Sequence, residues 1–199
     1  SHTILTVSMS PRHRCRIRLA IIQQVPLLAK QLGQDFFTNK LAAICVNWLG
    51  DDIATIRDAA TSNLQQLTSI FGSDWACEYL LPSIEDIRLN SSYLRRLTAV
   101  QACARMALEM DVQTAQVELV PLLLEMATDT VPNIRFNVAK ALAELGPVIW
   151  QGSSSSTVYD QQVHPVLTLL QDDPDRDVRF FASNAAQALE DARQSNQKP

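Results

Sequence analysis

The sequence predicts an all-α fold, an α-α superhelix of about five antiparallel helix pairs stacked as a solenoid. Three observations predict it. Arg18, Arg57, Arg96 and Arg135 recur every 39 residues, and Arg179 follows after 44. Behind each arginine, apolar residues return at spacings of three, four and three, which places them on one face of a helix. Ahead of it, a proline stands 14 residues upstream, at Pro82, Pro121 and Pro165, inside a second apolar run. A fixed period of this length marks hairpins that bury a continuous core between neighbours.

The period makes residues 1–199 a single array. The first repeat, 1–33, is partial and lacks most of its first helix. The second spans 34–72, the third 73–111, the fourth 112–150 and the fifth 151–190. The long last interval is explained by a loop insertion at 152–157, where Gly152 opens a run of serines. The polar tail, 191–199, reads as disordered. Residues 1–10 carry no basic leader, so no signal peptide is expected there. They read as a helix remnant or a cloning scar.

Each repeat justifies its two helices in the same way. The prolines at 82, 121 and 165 should bend the first helix, because the ring removes a hydrogen bond and crowds the preceding turn. Ala43 holds that place in the second repeat, which predicts a straighter helix there. The second helix buries a face built from Ile21, Val25 and Leu28, then Ala60, Leu64 and Leu67, then Ala99, Cys103 and Met106. Val138, Leu142 and Leu145 continue it, followed by Ala182, Ala186 and Leu189. Gly33, Gly50, Gly72 and Gly146 fall near helix ends, where glycine serves as a stop.

Six residues before the arginine comes Asp51, Asn90, Asp129 or Asp173, in the turn between paired helices. Such side chains accept from nearby backbone N–H groups. Repeated at one spacing, they can also pair with Arg57, Arg135 and Arg179 and their equivalents as a ladder between repeats. A charge-assisted bond of that kind contributes about 1.5–3 kcal/mol when partly buried. The alternative is separate capping and solvated arginines. Arg12 stands where the first repeat would need its Asp, so that rung is missing.

Charge and cysteine usage narrow the function. A net charge of −4 argues against general nucleic-acid binding. Yet basic residues gather at the turns: Arg12, His13, Arg14, Arg16 and Arg18 at the first, Arg95 and Arg96 at the third, Arg135 at the fourth, Arg176 and Arg179 at the fifth. Equivalent turns line up along a solenoid, so an acidic chain with a basic ridge points to an acidic protein partner. No apolar run approaches the ~20 residues of a membrane span. Cys15, Cys45, Cys77 and Cys103 have neither pairing nor metal-ligand spacing and read as reduced thiols in an intracellular protein. Localisation is expected to be cytoplasmic, with the nucleus as a second compartment. His2, His13 and His164 make no helical metal motif, and no phosphate loop or nucleophile motif occurs. No enzyme activity and no cofactor are expected.

Paired helices of this period, with a mid-helix proline, a turn Asp and an Ile/Val-Arg, are the HEAT pattern. Three segments make the resemblance narrower: Arg16–Ile22 followed by Pro26–Ala29, Ile56–Leu64, and Asn133–Lys140. On these the chain resembles the scaffolding (regulatory) A subunits of protein phosphatase 2A, over about Arg12 to Leu189. The resemblance corresponds to the last five of that family's fifteen repeats. It implies a non-catalytic scaffold that binds the catalytic subunit of a serine/threonine phosphatase through the turns. Regulatory subunits would be held by repeats that this chain lacks. The implied contact residues are Arg14, Cys15, Arg16, Ala54, Tyr93, Arg96, Val131 and Asn133. The family usually has Trp in place of Cys15 and Tyr in place of Ala54, so two aromatic anchors are lost. Other protein-binding HEAT modules, gripping tubulin or a transport cargo, form the first alternative. A HEAT-like nucleic-acid enzyme such as a DNA-repair glycosylase forms the second.

Overall fold

A computed structural model describes residues 11–152 and 155–196, with backbone alone at 11–14, 155, 156 and 196. All regular structure among the described residues is helical. The chain runs through α1 (Pro11–Leu32), α2 (Gln34–Lys40), α3 (Ala42–Asn47), α4 (Ala54–Phe71), α5 (Ser73–Tyr79), α6 (Leu81–Arg88) and α7 (Tyr93–Ala107). It continues through α8 (Val112–Thr114), α9 (Val120–Glu125), α10 (Pro132–Glu144), α11 (Gly146–Ile149), α12 (Ser155–Val158), α13 (His164–Gln171) and α14 (Arg176–Asn196). The long helices α1, α4, α7, α10 and α14 stack in that order as one layer. The shorter, interrupted helices form the other, and the architecture is a solenoid of antiparallel helix pairs.

The layers meet in one contiguous apolar core. In α4, Ile56, Ala60, Leu64 and Leu67 are buried, one helix face against two neighbours. Full burial of each large aliphatic contributes about 1.5–3 kcal/mol. The first helix departs from this pattern. Ile22, Val25 and Ala29 are buried, but Ile21 is 52% exposed and Leu28 37% exposed, because no described helix covers that side of α1.

The interrupted helices break at one place. Leu80 separates α5 from α6, and π-helical turns at Ala115–Leu119 and Tyr159–Val163 precede α9 and α13. Each break lies next to a proline, where the wider turn relieves the ring's clash and the lost hydrogen bond. The straighter helix expected in the second repeat is not found: it too is interrupted, at Leu41 (φ −123°, ψ −26°), with Ala43 in the proline's place. Proline is therefore not the sole cause; Leu41, Leu80, Leu119 and Val163 hold the same repeat position and pack into or against the core.

The inter-repeat turns after α1 and α4 are closed by Gly33 and Gly72, at φ +78° and +89°. That region is open to glycine without the Cβ penalty. The third turn uses Asp111 instead, whose carboxylate accepts from the Thr114 N–H (2.9 Å).

Two expectations about the chain's edges need correction. The tail is not disordered from 191: α14 continues to Asn196, with Arg193 stacked 5.3 Å over the Trp150 ring and Ala192 against Gly146. Those contacts from the fourth repeat outweigh the polar composition. The insertion at 152–157 is not loop throughout, since α12 begins at Ser155. Residues 153, 154 and 197–199, and the remnant or scar at 1–10, lie outside the described residues.

Candidate protein-docking ridge

Every described turn between paired helices is built alike. The Asx side chain accepts from the N–H two residues on: Ile53 to Asp51 (2.9 Å), Ser92 to Asn90 (3.0 Å), Val131 to Asp129 (2.8 Å) and Asp175 to Asp173 (2.9 Å). The backbone carbonyl of the same Asx accepts from the arginine six residues later. Arg57, Arg96, Arg135 and Arg179 donate through Nη1 at 2.6, 2.9, 2.8 and 2.6 Å. Each turn is thus closed twice from its own repeat.

The other edge of the guanidinium reaches forward. Arg96 forks Asp129 with Nε at 2.6 Å and Nη2 at 3.0 Å, and Arg135 forks Asp173 at 2.7 and 2.8 Å. Arg18 pairs with Asp51. The two bidentate forks, of Arg96 and Arg135, combine charge with planar geometry, which is why arginine fills the position. The electrostatics respond accordingly. Burial pushes the Asp129 carboxyl up, but the Arg96 fork and the Val131 N–H outweigh it and hold it below its ordinary value. The fork from Arg135 does the same for Asp173. Among the described residues Arg57 makes no salt bridge, because the turn position it would fork in the third repeat is Asn90.

The stacked turns bring several of the sequence-selected contact residues into one register. Cys15, Ala54 and Tyr93 each stand three residues before the repeat arginine, at the start of α4 and α7 and in the first turns of α1. Cys15 is half-buried, Arg16 and Ala54 are exposed, and Tyr93 is 42% exposed. Val131 and Asn133 flank the start of α10, both half-buried. Asn133 is tied to Asn137, whose Nδ2 donates to its carbonyl (2.7 Å) and side-chain oxygen (2.8 Å). Arg96 is different: its guanidinium is committed to Asp129, Asn90 and Ser91. The side chain of Arg14, and with it the basic cluster's Arg12, lies outside the described residues.

Several residues that hold the ridge in place do not follow the period. Arg105 reaches back from α7 to α4, donating to the Asp58 carboxylate (2.7 Å), the Asp58 carbonyl (3.0 Å) and Thr61 Oγ1 (2.7 Å). Arg88 pairs with Glu125 at 2.9 Å in the other layer. Neither pair recurs at the repeat spacing. At the second and third turns, Ile53, Leu89 and Leu94 are exposed apolar residues, as Tyr93 is. Their signal in the sequence is an apolar residue inside a turn.

Among the described residues, no group of three or more His, Cys, Asp or Glu side chains is placed to hold a metal ion. No helix there is long and apolar enough to cross a membrane. Burial pushes the Cys45 and Cys103 thiols up to about 12, so both serve as apolar filling.

Comparison with known proteins agrees with this geometry. The sequence pattern of HEAT repeats matches residues 81–190. The A-type regulatory subunit of protein phosphatase PP2A from Saccharomyces cerevisiae is 36% identical over 124 residues, 61% of this chain and 20% of that protein. Its Schizosaccharomyces pombe counterpart is 42% identical over 81 residues, 41% of this chain and 14% of that protein. The chain thus spans about a fifth or less of the length of these relatives. Among solved structures, Cex1p superposes with a TM-score of 0.68 at 16% identity, covering 92% of this chain and 34% of that one, a likeness of fold. The chain belongs to the HEAT-repeat family and is related over part of its length to the regulatory A subunits of phosphatase 2A.

Proposed function

We propose that this chain holds the catalytic subunit of a type 2A serine/threonine phosphatase along its ridge of intra-repeat turns. The observation that carries the reading is the likeness to the phosphatase A subunits, 36% identity over 124 residues and 42% over 81. The geometry supports it. Arg16, Ala54, Tyr93, Val131 and Asn133 stand on successive turns, an exposed aromatic among them, while the ladder beneath fixes their spacing. Anchors of this type contribute desolvated contact, and cations select and orient an acidic partner. The chain itself carries out no chemistry; it positions the enzyme.

Arg96 is a poor probe, because removing it breaks the ladder. Arg16→Glu and Tyr93→Ala leave the ladder intact. Together they should weaken binding of purified catalytic subunit by about 30-fold or more, one hot spot being worth about 2 kcal/mol. Surface plasmon resonance measures the loss, and circular dichroism confirms unchanged helicity. Wild-type affinity in the double variant would contradict the assignment of the ridge.

A further inference from the structure

The junction between the second and third repeats departs from the repeat's own rule at two positions. Its turn Asx is Asn90 where the other described turns have Asp51, Asp129 and Asp173. The residue before the repeat arginine is Arg95, where the others have Ile17, Ile56, Ile134 and Val178. Ile56, Ile134 and Val178 are fully buried. This junction has therefore lost a carboxylate and gained a guanidinium.

Among the described residues neither arginine has an anionic partner. Arg57 uses Nη1 on the carbonyls of Asp51 and Asp52, while its Nε and Nη2 edge, which forks a carboxylate in Arg96 and Arg135, meets no hydrogen-bond partner among the described residues. Arg57 is only 8% exposed, yet that edge keeps contact with solvent: the sealed, unpartnered side-chain nitrogen among the described residues is Arg88 Nε. The Arg95 guanidinium lies across the junction against Gly50, 3.7 Å from where a Cβ would stand. It lines a groove of about 360 Å³ with Asn47, Ser83 and Asp86. No salt bridge joins Asp52 or Asp86 to either arginine. Val46 and Ile87 are the apolar part of the groove's lining, and Ile53, Leu89, Tyr93 and Leu94 on the flanking turns are exposed.

We propose that this junction is a receptor for an acidic side chain of a protein partner, which supplies in trans the carboxylate that Asp129 and Asp173 supply in cis elsewhere. A buried guanidinium (Arg57) and a half-buried one (Arg95), neither with a counter-ion among the described residues, attract a carboxylate more strongly than solvated surface arginines do. The apolar lining and the exposed apolar side chains of the flanking turns exclude water once the partner is seated. The inference rests on the ridge being a docking edge and adds what enters it: an Asp or Glu flanked by apolar residues.

Two arms test it. In the first, the labelled chain is titrated at low salt with a blocked Gly-Asp-Gly-Asp-Gly peptide and with its Asn counterpart, following the arginine Nε–H signals by NMR. The Arg57 and Arg95 signals should move with the Asp peptide and stay with the Asn peptide. Asn90→Asp should abolish the Arg57 response by filling the place internally. Equal responses to both peptides, or an unchanged response in the Asn90→Asp chain, overturn the proposal. In the second arm, the phosphatase catalytic subunit is the probe. Asn90→Asp should raise the melting temperature and lower affinity about tenfold, and Arg95→Gln should lower affinity with melting unchanged. Asn90→Asp that melts higher and binds equally well contradicts entry of an acidic group here. A positive peptide arm with no phosphatase binding by the wild-type chain upholds the carboxylate receptor and rejects the phosphatase as its partner.

Discussion

At the scale of residues, the stability of this array depends on polar side chains that repair backbone defects. Pro26 lies inside α1 and has no N–H, so the Ile22 carbonyl four residues earlier loses its helical donor. Asn63, from the next repeat, fills the gap: its buried Nδ2 donates to Ile22 O at 2.7 Å. Gln116 acts likewise on the carbonyls of Val148 and Gln151, at 2.8 and 2.9 Å. Asn63→Ala should therefore cost about 1–3 kcal/mol, the penalty for orphaning a buried carbonyl, measured by urea unfolding. The Asp–Arg forks make stability depend on pH. The carboxyls of Asp129 and Asp173 are lowered in the fold, so their contribution is present above the unfolded carboxylate value and is lost as pH falls through the folded one. Melting temperature should drop below about pH 4, and Asp173→Asn should melt lower at neutral pH with a flatter acid limb. The periodic Asx and Arg are legible in the sequence because each recurs. Asn63, Gln116 and Arg105 are not, because each acts once and its partner is a backbone atom or a residue in another repeat.

At the scale of elements, the long helices are plain in the sequence and the short ones are not. The spacing of three, four and three follows directly from which face α4, α7 and α10 bury. Helix interruption depends on packing that no single residue reports, as the break at Leu41 beside Ala43 demonstrates. The end of α14 is hidden from the sequence for a related reason. Its polar residues face outward, while Leu189 accepts the Trp150 indole N–H at 2.7 Å and Ala192 packs on Gly146. A Cβ on Gly146 would lie 3.0 Å from Ala192 Cβ and 3.7 Å from Leu189 Cδ2. Gly146→Val should destabilise by about 2 kcal/mol, because overpacking two helices exceeds the roughly 1 kcal/mol or less gained by removing a helical glycine. Adding Ala192→Gly should recover part of the loss, read by thermal melting.

At the scale of the whole molecule, the solenoid is held at both sides of its junctions by different chemistry. The turn edge carries the Arg–Asp forks, and the body of the long-helix layer carries the fork of Arg105 onto Asp58 and the hydrogen bond of Gln65 to Glu109 (3.0 Å). Where the turn-edge pair is missing, at Arg57 and Asn90, the long-helix contacts remain. The turns are thereby kept in line while one of them stays unsatisfied toward a partner. The central claim is that this line of turns is the docking edge. Hydrogen–deuterium exchange of the chain with and without the type 2A catalytic subunit tests it most directly. The account predicts slowed exchange at 53–55, 92–95 and 131–133, with the interrupted-helix layer around 36–44 and 113–118 unchanged; protection on that layer with the turns unaffected would contradict it.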